Sequence, residues 1–333
     1  MKQRIKKFQG FLKYWLGPIL FVWLAISIYH QILNQSNLHS TLLSMQESLS
    51  GPASWKLLMI CGLMVINWSI EARKWQVLML PVEKMSWWKC LQATLSGVAF
   101  AINTPNRIGE YGGRILYVHE GNRIPAVSLT IMGSFSQLLV TMLLGCGGLI
   151  YLLNVSFGEI LQQHSITYIL WLQVMLYTVS TISVFCTLLY FRLGMLVKLA
   201  EKIPGSLKWL QHITVLEDLG VRNLLRVFSL SLGRYVVFAI QYILMLQLMQ
   251  VSVTVWQAFW LIAIMFLILA LIPTIALAEI GVRGKVSLAL FGLFSANSVG
   301  IVTASVGIWF INLVIPALFG SLLILGIKIA DKK

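Results

Sequence analysis

Apolar residues do not alternate along this chain. They come in long blocks separated by short polar stretches. Blocks at about 16–33, 55–70, 125–152, 166–191, 224–249 and 298–327 are long enough, or nearly so, to cross about 30 Å of hydrocarbon as helices. Two further blocks are shorter: Cys90 to Thr104 has 15 residues and Gln257 to Ile272 has 16, which at 1.5 Å per residue reach only about 22–24 Å. Each stops at a proline, Pro105 or Pro273, followed by charge and glycine, and a second short helix-like piece comes next, at about 114–123 and about 284–295. The pattern predicts an all-α integral membrane protein, because the blocks are too long and too unalternating for barrel strands.

Composition sharpens this. Apolar residues make up 58% of the 333 and charged ones 11%, against roughly 25% in a soluble domain. A soluble globule could not hide that much apolar surface, and disorder is excluded by the same numbers. Cys61, Cys90, Cys146 and Cys186 have no metal-ligand spacing and read as packing residues. The five histidines do not cluster. No metal and no cofactor is therefore expected. Lys2, Arg4, Lys6, Lys7 and Lys13 precede the first block, and no small-residue cleavage site follows it. It reads as a retained first span. Ile5, Phe8, Leu12 and Trp15 share one helical face before it, either as an interfacial basic helix or as part of a simple positive anchor.

Charge then threads the chain. The formal net charge is +14, which here points to cytoplasmic loops and anionic lipid rather than to nucleic acid. Segments 34–54, 153–165 and 250–256 contain no Lys or Arg, whereas 71–89, 192–223 and 328–333 are basic. If both short blocks were full crossings, 192–223 would face outside, against the positive-inside rule. If each short block and its follower form a re-entrant hairpin, every basic loop is cytoplasmic. The expected layout is six full transmembrane helices plus two broken-helix hairpins, with both termini inside. Residues 1–333 form one polytopic membrane domain. Repeat one spans 55–152, with hairpin 87–124 inserting from the cytoplasm. A cytoplasmic amphipathic linker occupies 192–223. Repeat two spans 224–327, with hairpin 257–295 inserting from outside.

The hairpins carry a repeated motif. One contains Pro105 and then Glu110-Tyr111-Gly112-Gly113-Arg114; the other contains Pro273 and then Glu279-Ile280-Gly281-Val282-Arg283. Both read Glu-x-Gly-x-Arg, and the glutamates are 279 − 110 = 169 residues apart, about half the chain. Matching sequence with opposite insertion is the signature of an inverted-topology repeat, which brings broken helices together near the bilayer midplane. Pro105, Gly109, Gly112, Gly113, Pro273, Gly281 and Gly284 would shape the hairpins. Charges at that depth default to function. Arg107, Arg114 and Arg283 would bind an anionic group, with Glu110 and Glu279 orienting them, binding a cation or carrying a proton. Equally, Glu110–Arg114 and Glu279–Arg283 are spaced to pair within one helix turn and merely hold the hairpins. Arg107 has no counterpart in the second hairpin unless Lys285 replaces it. Arg234 lies deep in a span and needs a cavity or a carboxylate, with Glu279 or Glu110 as candidates. Glu71, Arg73 and Lys74 read as an interfacial cluster. Gln137, Gln241 and Asn312 read as interhelical hydrogen-bonding residues, and Trp309 and Pro316 as shaping the last span.

The stretch from Thr104 to Arg114, with Pro273-Thr274 and Glu279-Ile280-Gly281-Val282-Arg283-Gly284, resembles the lysylphosphatidylglycerol synthase transmembrane, or flippase-like, family. The resemblance implies a membrane region that moves a lipid between leaflets; in bifunctional members a soluble synthetase domain follows. This chain stops at Lys333, straight after the last span, so the expectation is a stand-alone, non-enzymatic member of the bacterial inner membrane. Three function classes follow. The first is a lipid flippase or transporter taking a phosphate-bearing phospholipid or polyprenyl-linked head group, with anionic lipid on the basic face, self-association left open and no nucleic-acid partner. The second is a proton-coupled transporter of a small anion. The third is an enzyme or accessory protein acting on lipid-linked sugars.

Overall fold

The computed structural model describes residues 26, 30, 38–102, 104, 107–155, 166–192, 214–216, 219–272 and 276–330. The block 16–33, most of the 192–223 linker, Pro105 and Pro273 fall largely or wholly outside them. All regular structure among the described residues is helical. The helices are α1 (Leu38–Ser50), α2 (Trp55–Met79), α3 (Trp87–Ala101), α4 (Gly109–Ile115), α5 (Arg123–Val155), α6 (Ile166–Phe191), α7 (Val221–Leu248), α8 (Val255–Leu271), α9 (Ala276–Phe291), α10 (Ser298–Trp309) and α11 (Ile315–Ala330). Among the described residues, five stretches are long and apolar enough to cross a membrane: Pro52–Met79, Glu120–Asn154, Ile169–Phe191, Val221–Leu248 and Ser298–Ile324. The protein is a multi-pass, all-α membrane protein.

Local sequence explains the helix starts. Ser86 caps α3 by accepting from the Lys89 amide at 3.3 Å. Thr254 caps α8, where Thr254 and Gln257 form a reciprocal capping box at 3.2 and 3.0 Å. The two caps open the two short helices of the expected hairpins. Between α10 and α11 the chain makes a π turn at Phe310–Val314. Pro316 supplies the cause, since it lacks the N–H that the Asn312 carbonyl would need.

Three segments depart from the sequence expectations. Residues 34–54 were expected as an external loop, yet 38–50 form helix α1, which packs on α10. Its Ser48 hydroxyl accepts from Gln250 Nε2 at 2.7 Å. Helix α2 continues to Met79 instead of ending near position 70. The second pieces of the hairpins start earlier than 114 and 284, so both Glu-x-Gly-x-Arg motifs lie on helices, in α4 and α9. Glutamate in the first turn of each suits the positive end of the helix dipole, and the i, i+4 arginine can reach it.

Helices α2 and α7 run antiparallel along their length. Lys56 Nζ donates to Gln247 Oε1 at 3.0 Å, Gln241 Nε2 to the Ile60 carbonyl at 2.8 Å, and Arg234 Nε to Asn67 Oδ1 at 2.6 Å. These are the first spans of the two expected repeats. The hairpin helices exchange partners: α3 packs on α11, the span after the second hairpin, and α8 packs on α5, the span after the first. Small residues allow both contacts. A β-carbon at Gly320 would lie 2.0 Å from the Leu95 carbonyl oxygen, and one at Gly148 2.8 Å from that of Trp260. Close approach of this kind is how helices associate where lipid is as apolar as the side chains.

The connections at the two ends of hairpin one are tied by Glu83. Its Oε1 meets Lys89 Nζ at 3.2 Å, and its Oε2 accepts from the His119 amide at 3.3 Å. Partial burial pushes its carboxyl up, but the His119 amide and Lys89 outweigh this and hold it below the ordinary value. A depressed carboxylate contributes stability above its unfolded pKa of about 4.3 and loses it as pH falls through the folded value. The gap in melting temperature between wild type and Glu83→Gln in detergent is therefore expected at pH 7 and should shrink as the pH falls below about 4.3, vanishing once it is below the depressed folded value. A gap that persists in acid would disprove the ion-pair tie.

Candidate functional site

The helical repeat of α2 places Asn67, Glu71 and Lys74 on one buried face, at 1%, 4% and 1% exposure, with Arg73 turned outward. Glu71 and Lys74 are thus interior residues, a correction to the interfacial cluster expected from sequence. Glu71 is a hub. Its Oε1 takes Arg114 Nη2 at 2.8 Å, and its Oε2 takes Lys74 Nζ at 2.6 Å and Arg234 Nη1 at 2.7 Å. Arg114 also pairs with Glu110. Arg234 stacks over the Trp68 ring at 5.1 Å, and Arg114 over Trp75 at 5.8 Å. Arg234 sits 13 residues from the start of α7 and 14 from its end, about 20 Å from either. Arg234 is therefore at the middle of α7, whereas Glu71 and Lys74 lie 79 − 71 = 8 and 79 − 74 = 5 residues from the C-terminal end of α2. The carboxylate of Arg234 is Glu71, neither of the two glutamates that the sequence suggested.

A second cluster belongs to the other hairpin. Arg283 Nη2 meets Glu279 Oε1 at 2.8 Å, and the same oxygen faces Arg107 Nη2 at 3.7 Å. Each cluster thus borrows an arginine from the opposite half: Arg234 reaches Glu71, and Arg107 reaches Glu279. Arg107 itself crosses to the carboxylate of the second hairpin, and Lys285, the residue that could stand as its counterpart there, lies on α9 two residues beyond Arg283. It is held at φ 57°, a conformation rare for a side-chain-bearing residue and concentrated at functional positions.

All six sequence-nominated charges fall in these two clusters, and both intra-helix ion pairs form. The glycines divide. A β-carbon at Gly109 would meet the Phe100 carbonyl oxygen at 2.3 Å, and one at Gly113 would meet Gly97 Cα and the Ser96 oxygen at 2.6 Å. These two let α4 lie against α3. Gly112 meets nothing within 4 Å among the described residues, so close approach to them is not its role. Gly281 and Gly284 are buried within α9 and form no turn.

The clusters meet at a cavity of about 90 Å³, walled by Arg107, Arg234, Arg283, Trp68, Trp309 and Asn312. That is space for about three waters or a small anionic group. Its lining is rich in idle donors. Arg283 Nε and Nη1, Trp68 Nε1 and Trp309 Nε1 are buried without hydrogen-bond partners among the described residues. Counting Lys74, Arg107, Arg114, Arg234 and Arg283 against Glu71, Glu110 and Glu279 gives 5 − 3 = +2. Unpaired buried donors and surplus positive charge are costly unless an anion answers them. No group of three or more metal-ligating side chains occurs among the described residues.

Fold and site together define a polytopic membrane protein with a buried, cation-rich cavity between two halves of matching motif. Over residues 11–320 the sequence matches the family described as lysylphosphatidylglycerol synthase TM region. The chain belongs to that family, and membership associates it with membrane-lipid function. No curated protein and no solved structure matches it.

Proposed function

We propose that this chain is a transporter of the bacterial inner membrane, non-enzymatic, that moves a phosphate-bearing lipid head group between leaflets, with both termini cytoplasmic. The observation that carries the reading is the 90 Å³ cavity whose arginine and tryptophan donors are unanswered at mid-span depth. A planar guanidinium with free N–H groups suits phosphate. The antiparallel α2 and α7, and the exchanged hairpin contacts, are the arrangement an inverted repeat would produce, and they support alternating access by rocking of one half against the other. Arg107 and Arg234 cross between halves, so their pairs to Glu279 and Glu71 must lengthen in such a motion. Arg107, at 45% side-chain exposure, is the natural first contact for an incoming head group.

The test is translocation of a fluorescent phospholipid in proteoliposomes. Wild type is expected to move it. Arg107→Ala, which removes a half-exposed side chain, should melt like wild type yet lose at least about tenfold in rate, the effect of one charged contact worth about 1.4 kcal/mol. Translocation by Arg107→Ala at the wild-type rate sinks the proposal. Uptake of soluble phosphate without lipid movement would replace it with anion transport.

A further inference from the structure

A second cavity of about 190 Å³ adjoins the first and shares Arg107, Arg234 and Phe238 with it; its remaining walls are Gln137, Thr141, Tyr235 and Phe266. We infer that the group bound across these two cavities is a phosphodiester whose outer substituent is uncharged and hydroxylated, a glycerol or a sugar, and not an ammonium. This rests on the head-group reading above and names the head group's chemistry.

Among the described residues, the first cavity leaves one acceptor unpaired, Asn312 Oδ1, beside its four idle donors; the second leaves an acceptor and a hydroxyl. Tyr235 is 3% exposed, and its hydroxyl is buried with no hydrogen-bond partner among the described residues; the same holds for Gln137 Oε1. The amide nitrogen of Gln137 is spent, weakly, on the Ser231 carbonyl at 3.4 Å. The carbonyl oxygen left over is an acceptor, and the phenol can both give and take a hydrogen bond. An acceptor and a donor-acceptor on the residues lining one cavity suit a hydroxylated group. The rings of Tyr235, Phe238 and Phe266, arranged edge to face at 5.2–5.7 Å, supply an apolar wall for the C–H faces of a polyol.

An ammonium is excluded by charge. Aromatic rings alone could attract one, but Arg107 and Arg234 line the same cavity and repel it. Among the described residues no carboxylate lines either cavity. The three glutamates nearby are already committed. Glu71 holds three cations, Glu110 holds Arg114, and Glu279 is shared by Arg283 and Arg107. To bind an ammonium the protein would have to strip an arginine from its partner in a site that already carries surplus positive charge. A phosphate in the first cavity and hydroxyls in the second would supply partners for the unpaired polar groups of the residues that line them.

The experiment is binding to the purified full chain in detergent, read by thermal shift and titration calorimetry, with three water-dispersible probes. These are dihexanoyl phosphatidylglycerol, dihexanoyl phosphatidylethanolamine and a short-chain isoprenyl phosphosugar. At least one hydroxylated probe is expected to bind ten times more tightly than the ethanolamine lipid, and the tighter of the two names the source. Tyr235→Phe removes a hydroxyl that has no partner, so folding should be unharmed. It should cut hydroxylated-probe affinity several-fold and leave the ethanolamine probe unchanged. Equal or tighter ethanolamine binding, no binding of any probe, or an unaltered preference in Tyr235→Phe overturns the inference. Binding needs no membrane to cross. A preference seen without translocation therefore defeats the transport reading alone, and translocation without a preference defeats this inference alone.

Discussion

Glu71→Ala is expected to leave little folded protein. One carboxylate accepts Lys74, Arg114 and Arg234 at 2.6–2.8 Å, and its removal strands three buried or largely buried cations. Breaking a single buried pair from one side costs about 3–5 kcal/mol, because the remaining charge loses its partner in a poor solvent for ions. Here Arg114 keeps Glu110 and Arg234 keeps Asn67 and the Trp68 face, so those two are partly compensated. Among the described residues Lys74 then keeps only a 3.4 Å contact to the Gly133 carbonyl. The loss should therefore be at least about 3–5 kcal/mol, a large part of the 5–15 kcal/mol that ordinarily separates folded from unfolded protein. Adding Lys74→Met to Glu71→Ala should recover part of it, since the least compensated charge is then gone. Glu71→Gln, which retains an acceptor oxygen but no charge, should fall between. Melting in detergent, followed by size-exclusion chromatography, reads all three. If Glu71→Ala melts like wild type, the hub does not hold the halves together.

The case of Glu71 also marks where sequence stopped being informative. The apolar blocks, the two short helices, the Glu-x-Gly-x-Arg repeat and six of the site's eight charges are all properties of local pattern, and local pattern is what a sequence displays. A hydropathy block ends at its first charge, so α2 was expected to stop near position 70, and Glu71 and Lys74 were assigned to the membrane surface. Their spacing held the missing signal. Asn67, Glu71, Lys74 and Trp75 recur at three and four residues, the period of a buried face, whereas Arg73 falls off it. Helix α1 was hidden because its uncharged polar residues look like a loop, and its burial comes from α10 and Gln250, far along the chain. The partners of Arg234 and Arg107 were beyond reach for another reason. Each lies across the interface between halves, and nothing in a single sequence says which carboxylate a buried arginine meets. The motif told where charge would collect. Packing decided that each half would lend the other an arginine.

That packing rests on a contact open to a sharp test, because two adjacent glycines should respond with opposite sign. Gly113 lies where α4 touches α3. A β-carbon there would sit 2.6 Å from Gly97 Cα, 2.6 Å from the Ser96 carbonyl oxygen and 2.7 Å from the Gly97 nitrogen. All three are backbone atoms, which cannot rotate aside, so α4 must lift off α3. Arg114, the next residue, would be drawn from Glu71. Gly113→Ala is expected to destabilise by about 1–3 kcal/mol as an overpacking change, and Gly113→Leu by more. Gly112 occupies the middle of the same helix, and among the described residues nothing lies within 4 Å of a β-carbon there. Gly112→Ala should instead stabilise by up to about 1 kcal/mol, the difference in helix propensity between the two residues. Melting temperatures measured side by side give the sign of each. The variants also separate stability from transport. Gly112→Ala leaves every charged contact in place and should translocate lipid normally, whereas Gly113→Ala should lose translocation even in the fraction that stays folded, because Arg114 and through it Glu71 are displaced. If Gly113→Ala is as stable and as active as Gly112→Ala, α4 does not lie against α3, and the arginine that α4 carries cannot be held where the hub requires it.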